Sequence, residues 1–250
     1  MGPQFGTMGR QMEDYPLKDF YSDIYTSYDR VNRIFTFGRD LKWRRRAASE
    51  CLDPDPDKVL DVCTGTGDFI LEVASQGRAG ISLTGYDFSK TMLQEARRKQ
   101  QLMQERNSAP PVEFVEGDVG AMPFEDDHFD AMGITFGIRN LVYQNSKASQ
   151  HLSEMYRVLR PGGHLVILES SRPDSAIWRF FNSIYLQFIL PYLGGVISGN
   201  LKAYRYLASS SRNYYSIGEM GQILEEAGFM IGKSEPLFLG SVMLVVAVKN

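Results

Sequence analysis

The segment Val59-Leu60-Asp61-Val62-Cys63-Thr64-Gly65-Thr66-Gly67-Asp68 constrains this chain more than any other: an apolar strand runs into a two-glycine turn and out into a helix. Glycine at 65 and 67 removes the side chains that would hold a ligand off the backbone. The freed N–H groups and the helix N-terminus then attract polar ligand groups. A dinucleotide fingerprint would need a third glycine three residues after Gly67, where Ile70 stands, and no Lys-Ser/Thr pair follows as in a phosphate loop. The turn therefore predicts a nucleoside site that is neither a NAD/FAD site nor an ATPase loop.

Two further units repeat the strand-to-acid pattern. Ile81 to Tyr86 reads as a second strand delivering Asp87 beside the first turn, where a carboxylate can grip a ribose diol. Ser89 is placed to cap the helix that follows, with Glu95, Arg97, Arg98 and Lys99 on its wetter faces. Val112 to Val115 reads as a third strand, and Asp118, just past it, can accept from an adenine amino group. Each acid has a plainer reading, Asp87 as a helix cap and Asp118 as a turn-former. Phe129 to Phe136 reads as a buried fourth strand opening into Gly137-Ile138-Arg139-Asn140. A helix over about 147–159 stops at Arg160-Pro161-Gly162-Gly163, because proline cannot continue a helix and glycine supplies the reversal. A fifth strand, 164–169, follows. The helix from Ser216 to Gly228 and the apolar strand 241–248 complete a seven-stranded sheet.

A net charge of −3 leaves no nucleic-acid footprint. Cys51 and Cys63, and the scattered His128, His151 and His164, lack metal-ligand spacing, so no metal is expected, and Cys63 reads as a small packing residue. Residues 1–13 lack apolar periodicity and predict a flexible tail rather than a signal peptide. Phe20, Tyr21, Ile24, Tyr25, Tyr28, Val31 and Phe35 are spaced for one helix face, which predicts a helical cap over 14–52. The Asp53-Pro54-Asp55-Pro56-Asp57 turn leads from it into the first strand. Residues 14–250 thus read as one α/β domain.

Four segments carry a resemblance: Tyr28-Asp29-Arg30-Val31-Asn32, Thr64 to Asp68, Phe136-Gly137-Ile138-Arg139-Asn140, and Tyr156 to Gly163. Together they resemble the ubiquinone/menaquinone biosynthesis C-methyltransferases, over about residues 15 to 230. The glycine turn and the Pro-Gly-Gly corner are shared by most class I methyltransferases, whereas Phe-Gly-Ile-Arg-Asn is particular to the quinone enzymes. The resemblance implies a Rossmann-like α/β fold whose last strand lies antiparallel between strands five and six, with a helical insertion over 172–213 covering the acceptor. It implies S-adenosyl-L-methionine as methyl donor and a prenylated hydroquinone as acceptor. By motif, Thr66, Asp87, Asp118, Val119 and Thr135 match donor-binding positions, joined by Asp61, Thr64, Gly65, Gly67 and Phe88 around them. Arg139, Asn140 and Tyr28 match positions at the acceptor ring.

A neutral ring carbon is a poor nucleophile, so the neighbouring phenol, with an ordinary pKa near about 10, must lose its proton. Arg139 can stabilise the phenolate but is itself a poor base. The expectation is that Arg139 and Asn140 hold the phenol and a water that takes the proton, with Tyr28 closing the network. The plain alternative for Arg139 is a salt bridge to a nearby acid. The Cys-Thr-Gly-Thr-Gly turn resembles the bacterial menaquinone enzymes, which favours demethylmenaquinol over a ubiquinone precursor. A methyltransferase for another small molecule, or a non-catalytic donor-binding scaffold, stays open.

Residues 176–193 are rich in aromatic and aliphatic groups, interrupted by Arg179, Asn182, Gln187 and Pro191. They fall short of the roughly 20 apolar residues of a spanning helix. They can line a tunnel for a prenyl tail, lie on a bilayer, or pack on the sheet or a second subunit. The expected setting is cytoplasmic, with peripheral contact at the inner membrane face.

Overall fold

The computed structural model describes residues 33, 34, 36, 38–105, 109–198, 201, 205, 208 and 213–250. Seven strands, β1 (Lys58–Val62), β2 (Ser82–Asp87), β3 (Val112–Glu116), β4 (Phe129–Thr135), β5 (Leu159–Ser170), β6 (Phe229–Leu237) and β7 (Val242–Lys249), form one sheet in the order β3-β2-β1-β4-β5-β7-β6. The first five are parallel to one another, and β7 runs antiparallel to both β5 and β6. This is the arrangement the resemblance implied. The chain builds outward from β1 to β3, then returns to the other side of β1 for β4. That reversal opens a crevice beyond the carboxyl ends of β1 and β4, where doubly wound sheets hold ligands.

Both faces of the central strands are covered, which is why β4 and β7 read as near-continuous apolar runs, whereas the edge strands β3 and β6 alternate. Successive residues alternate sides. Val59, Ala131, Val166 and Leu244 pack against α1 (Arg39–Cys51), α2 (Asp68–Gln76) and α3 (Lys90–Gln104) through Ala47, Phe69, Ile70 and Leu93. Leu60, Met132, Ile167 and Val245 face the opposite way. There they meet α4 (Ile138–Val142), α5 (Ala148–Val158) and α8 (Ile217–Glu226) through Ile138, Leu152, Met155 and Leu224. Each such fully buried side chain is worth about 2 kcal/mol of transfer free energy.

Helix ends follow the expected chemistry. Ser89 caps α3 by accepting from the Met92 N–H at 3.4 Å, and Ser216 with Glu219 forms a reciprocal capping box at the start of α8. The Pro-Gly-Gly corner differs from its expected form. Helix α5 ends at Val158, and Leu159 already pairs with Phe129, so residues 161–163 lie inside β5 at a register shift rather than before it. Pro236 likewise belongs to β6 and pairs with Met243, leaving only the short turn Phe238–Gly240 before β7. After β5 the chain continues as α6 (Ala176–Ile184), a π-helical stretch Tyr185–Ile189 and α7 (Leu190–Ser198). Among the described residues no helix is long and apolar enough to cross a membrane. The aromatic face expected over residues 20–35, and Tyr28 with it, lies outside the described residues.

Candidate active site

The first turn is held open by backbone conformation. Cys63, Gly65 and Gly67 take φ of 56°, 55° and 81°, the left-handed region where glycine carries no penalty. A Cβ on Gly67 would also stand 3.0 Å from that of Ala96 in α3. Asp87 ties this turn to the end of β2: one oxygen accepts from the Gly65 N–H at 2.9 Å, the other from the Ser89 N–H at 2.8 Å. Asp87 therefore does not cap α3 itself; it joins the turn to Ser89, the residue that does. Asp61, at the end of β1, accepts from the Thr64 hydroxyl at 2.5 Å and braces the turn from behind.

Beyond the strand ends lies a crevice of about 280 Å³. Nine of the residues expected from the sequence line it: Thr64, Gly65, Thr66, Asp87, Phe88, Asp118, Val119, Thr135 and Asn140. Asp61 and Gly67 stand one layer behind them. Asp118 accepts from the Gly120 N–H at 2.8 Å, so it is a turn-former as well as a crevice residue. Lys99, expected on a wet face of α3, instead reaches the turn, donating to Thr66 Oγ1 at 2.9 Å and pairing with Asp68 at 2.5 Å.

Arg139 lies on a different side of α4 from Asn140. Its guanidinium donates to Ser170 Oγ at 3.0 Å and faces the Glu169 carboxylate at 3.7 Å, while its backbone N–H points to the same carboxylate at 3.3 Å. Glu169 is fully buried and Arg139 nearly so. The alternative of a pairing with a nearby acid therefore describes its position here. The Tyr214 hydroxyl is buried nearby with no hydrogen-bond partner among the described residues, and burial together with the Glu169 charge pushes that phenol well above its usual range.

Several crevice residues gave no signal in the sequence. Arg44 reaches in from α1, donates to Thr135 Oγ1 at 2.7 Å and lies 5.2 Å from the Phe136 ring centre. In the sequence it is one of three consecutive arginines, and nothing local separates the inward one from the outward two. Asp68, Asn145 and His151 also line the crevice. Cys63 does too, but burial first and the charges of Asp87, Asp61 and Glu169 next raise its thiol far from the thiolate form, as suits a packing residue.

The electrostatics suit a ligand bearing both a cation and hydrogen-bond donors. Burial raises Asp61 to about 7, against the opposing Thr64 hydrogen bond and Arg44 charge. It likewise raises Asp87 to about 6 despite the N–H groups that favour its ionised form. Burial would raise Asp68 as well, but Arg44 and Lys99 outweigh it and hold that carboxyl below its ordinary value. Two buried atoms of opposite character, Arg44 Nε and Asp61 Oδ1, have no hydrogen-bond partner among the described residues.

Fold and crevice together place the chain among the doubly wound α/β proteins with a ligand-sized crevice where the strand order reverses. The profile of the ubiE/COQ5 methyltransferase family matches residues 9–249, so the chain belongs to that family and is an S-adenosylmethionine-dependent methyltransferase. A demethylmenaquinone methyltransferase of Thermus thermophilus is 41% identical over 212 residues, covering 84% of this chain and 91% of the relative. A ubiquinone/menaquinone biosynthesis C-methyltransferase of Geobacter sulfurreducens is 40% identical over 213 residues, covering 85% and 80%. Among solved structures, an S-adenosylmethionine-dependent methyltransferase of Thermotoga maritima superposes with a TM-score of 0.61 at 17% identity, over 94% of this chain and 100% of the other. At that identity the likeness speaks for the fold alone.

Proposed function

We propose that the chain transfers the methyl group of S-adenosyl-L-methionine to a ring carbon of demethylmenaquinol, giving menaquinol. The relative from Thermus thermophilus, aligned along most of both chains, carries this reading of the acceptor. When bound, the donor supplies a methyl on a sulfonium, an electrophile with its leaving group built in. The chain's task is then to position, exclude water and move one proton.

In this reading Asp87 holds the ribose, Thr66 and the Gly65 backbone line the sugar and amino-acid ends, and Arg44 engages the donor's carboxylate, with Asp61 bracing the turn from behind. Phe88, Asp118 and Val119 receive the adenine. Asn140 lines the crevice beyond Thr135, and Arg139 sits beside it on the same short helix. Glu169 and Ser170 fix the guanidinium; the Glu169 carboxylate offsets part of its charge, and the oriented cation that is left favours phenolate over phenol. A water held between Asn140 and the ring hydroxyl takes the proton, with Tyr28 completing the network.

The exposed apolar face that follows β5 fits a lipophilic acceptor. Ile177, Phe180, Phe181, Ile184 and Phe188 recur at helical spacing on one side and are all solvent-exposed, Ile177 and Phe180 by 67% and 62%. This face rests on the bilayer where a prenylated quinol resides, and the tail enters along it. Vesicle flotation tests that part: protein that stays with the soluble fraction, with and without quinol, contradicts it. The reaction itself is tested by incubation with isotope-labelled donor and a panel of reduced quinones, read by mass spectrometry. Label is expected in the menaquinol formed from demethylmenaquinol; label found only in a methylated ubiquinone precursor, or in no quinone, overturns the assignment.

A further inference from the structure

Helix α5 opens against the wall of the crevice. Gln150 donates to the Gly120 carbonyl at 2.7 Å, and Glu154 accepts from the Met122 N–H at 2.9 Å, so the turn carrying Asp118 and Val119 is clamped to this helix. His151 lies between these two clamps and lines the crevice, yet is 95% buried. Its Nδ1 is 3.0 Å from the Leu141 carbonyl oxygen, which can only accept, so Nδ1 carries the hydrogen. In the neutral ring this leaves Nε2 as a bare acceptor.

Nε2 faces Asp118 Oδ1 at 3.9 Å. That is too far for a direct hydrogen bond; Oδ1 already accepts from the Gly120 N–H at 2.8 Å, and its remaining lone-pair capacity lies open to one further donor on the side of Nε2. The only other charged side chain facing Asp118 among the described residues is Lys147, 4.0 Å from its other oxygen and mostly exposed. A single amino nitrogen about 2.9 Å from each acceptor fits the gap and donates one hydrogen to each. Adenine's exocyclic amino group is such a nitrogen.

We propose that His151 is a specificity-determining residue, which with Asp118 forms a two-acceptor clamp on the 6-amino group of the donor's base and rejects a base with a carbonyl there. The inference rests on the donor reading above and adds to it a residue that neither the glycine turn nor the acidic strand ends announce. A carbonyl oxygen placed against Nε2 and Oδ1 would set three acceptors together with no hydrogen to share, which a pocket built for a donor penalises heavily.

Calorimetric titration of S-adenosylhomocysteine and its deaminated counterpart, S-inosylhomocysteine, reads this without turnover. The wild-type protein is expected to bind the adenosyl compound about 100-fold more tightly. His151→Asn keeps a donor for the Leu141 carbonyl but loses the acceptor at Nε2. It should weaken the adenosyl compound about tenfold and leave the inosyl compound within about twofold, shrinking the discrimination. His151→Gln, whose amide oxygen can reach the Nε2 position, should restore most of it. If His151→Asn weakens both compounds equally, or neither, His151 is a prop for the turn and the proposal is wrong while the donor reading stands. If the wild-type protein binds neither compound, both fall.

Discussion

The two walls of this molecule's functional end are built in opposite ways. The wall proposed to hold the donor is assembled from strand ends, with every carboxylate engaged: Asp87 by two backbone N–H groups, Asp61 by Thr64, Asp68 by Lys99. The wall proposed to receive the acceptor ends in a segment whose large apolar side chains, Phe180, Phe181, Phe188 and Val196, stand in solvent. The donor side is finished by the fold itself, because a nucleoside is small, polar and of fixed shape. On the proposed reading the acceptor side is left open, because a long lipid tail has to arrive from outside. Rigid preorganisation serves the first, and an exposed apolar surface of this size asks for a partner.

The largest effect that would break this contrast belongs to Asp87. Asp87→Ala strips the acceptor from the Gly65 and Ser89 N–H groups, leaving two buried donors at a cost of about 1–3 kcal/mol each and freeing the turn. Calorimetry with S-adenosylhomocysteine should show at least about a 100-fold loss of affinity together with a lowered melting temperature. Unchanged affinity would mean that the donor wall is not organised by this residue.

Arg139→Met separates the two walls directly. Turnover should fall about 100-fold, as when one preorganised donor to a developing oxyanion is lost, while donor affinity stays within about twofold. The variant also leaves Glu169, fully buried, without its guanidinium, which should cost about 3 kcal/mol of stability in denaturant titration. Lost stability with full turnover would confine Arg139 to the structural pairing alone.

Most of the crevice lining was readable from the chain because it comes in local units: the turn from Thr64 to Gly67, then an acid at or just past the ends of the next two strands. What could not be read was whatever comes from far away in sequence. Arg44 meets Thr135 across 91 positions, and in the sequence it is one arginine in a run of three. His151 looks like any polar residue at the start of a helix until Leu141 and Asp118 are brought beside it. Glu169 ends an apolar strand and could be noticed as an acid, but its pairing with Arg139 depends on β4 and β5 lying side by side. The Pro-Gly-Gly corner marked the end of α5 correctly, yet local propensity could not show that Leu159 pairs with Phe129 before the corner and so draws it into the strand.

Proton linkage gives a gentler, opposed signature on the donor wall. Burial raises Asp61 to about 7 and Asp87 to about 6, above the ordinary 3.8. Between about pH 4 and pH 7 the unfolded chain therefore binds fewer protons at these sites than the native one, and their contribution to stability falls as pH rises. Donor binding should run the other way, because ionised carboxylates are the better acceptors for ribose hydroxyls and an ammonium group. With Asp87 near about 6, affinity at pH 5 should be roughly tenfold weaker than at pH 8. Thermal denaturation of the ligand-free protein and calorimetry across this range give the two slopes, and Asp61→Asn should flatten the first. Two slopes of the same sign would show that the acids do not carry the binding.

The smallest expected effect falls on the acceptor wall, and its smallness is informative. Phe180 and Phe181 are 62% and 55% exposed, so replacing both with serine should change stability by no more than about 0.5 kcal/mol. Turnover of a demethylmenaquinol analogue with a short, water-soluble tail should stay within about twofold, because nothing in the donor wall or around Arg139 is touched. Turnover of the long-tailed quinol in vesicles should fall, in step with loss of flotation, since each exposed ring removed takes apolar area out of the bilayer contact. Equal losses on both substrates would place these rings in the packing of the fold rather than on a lipid surface, and the two walls would then differ in exposure without differing in purpose.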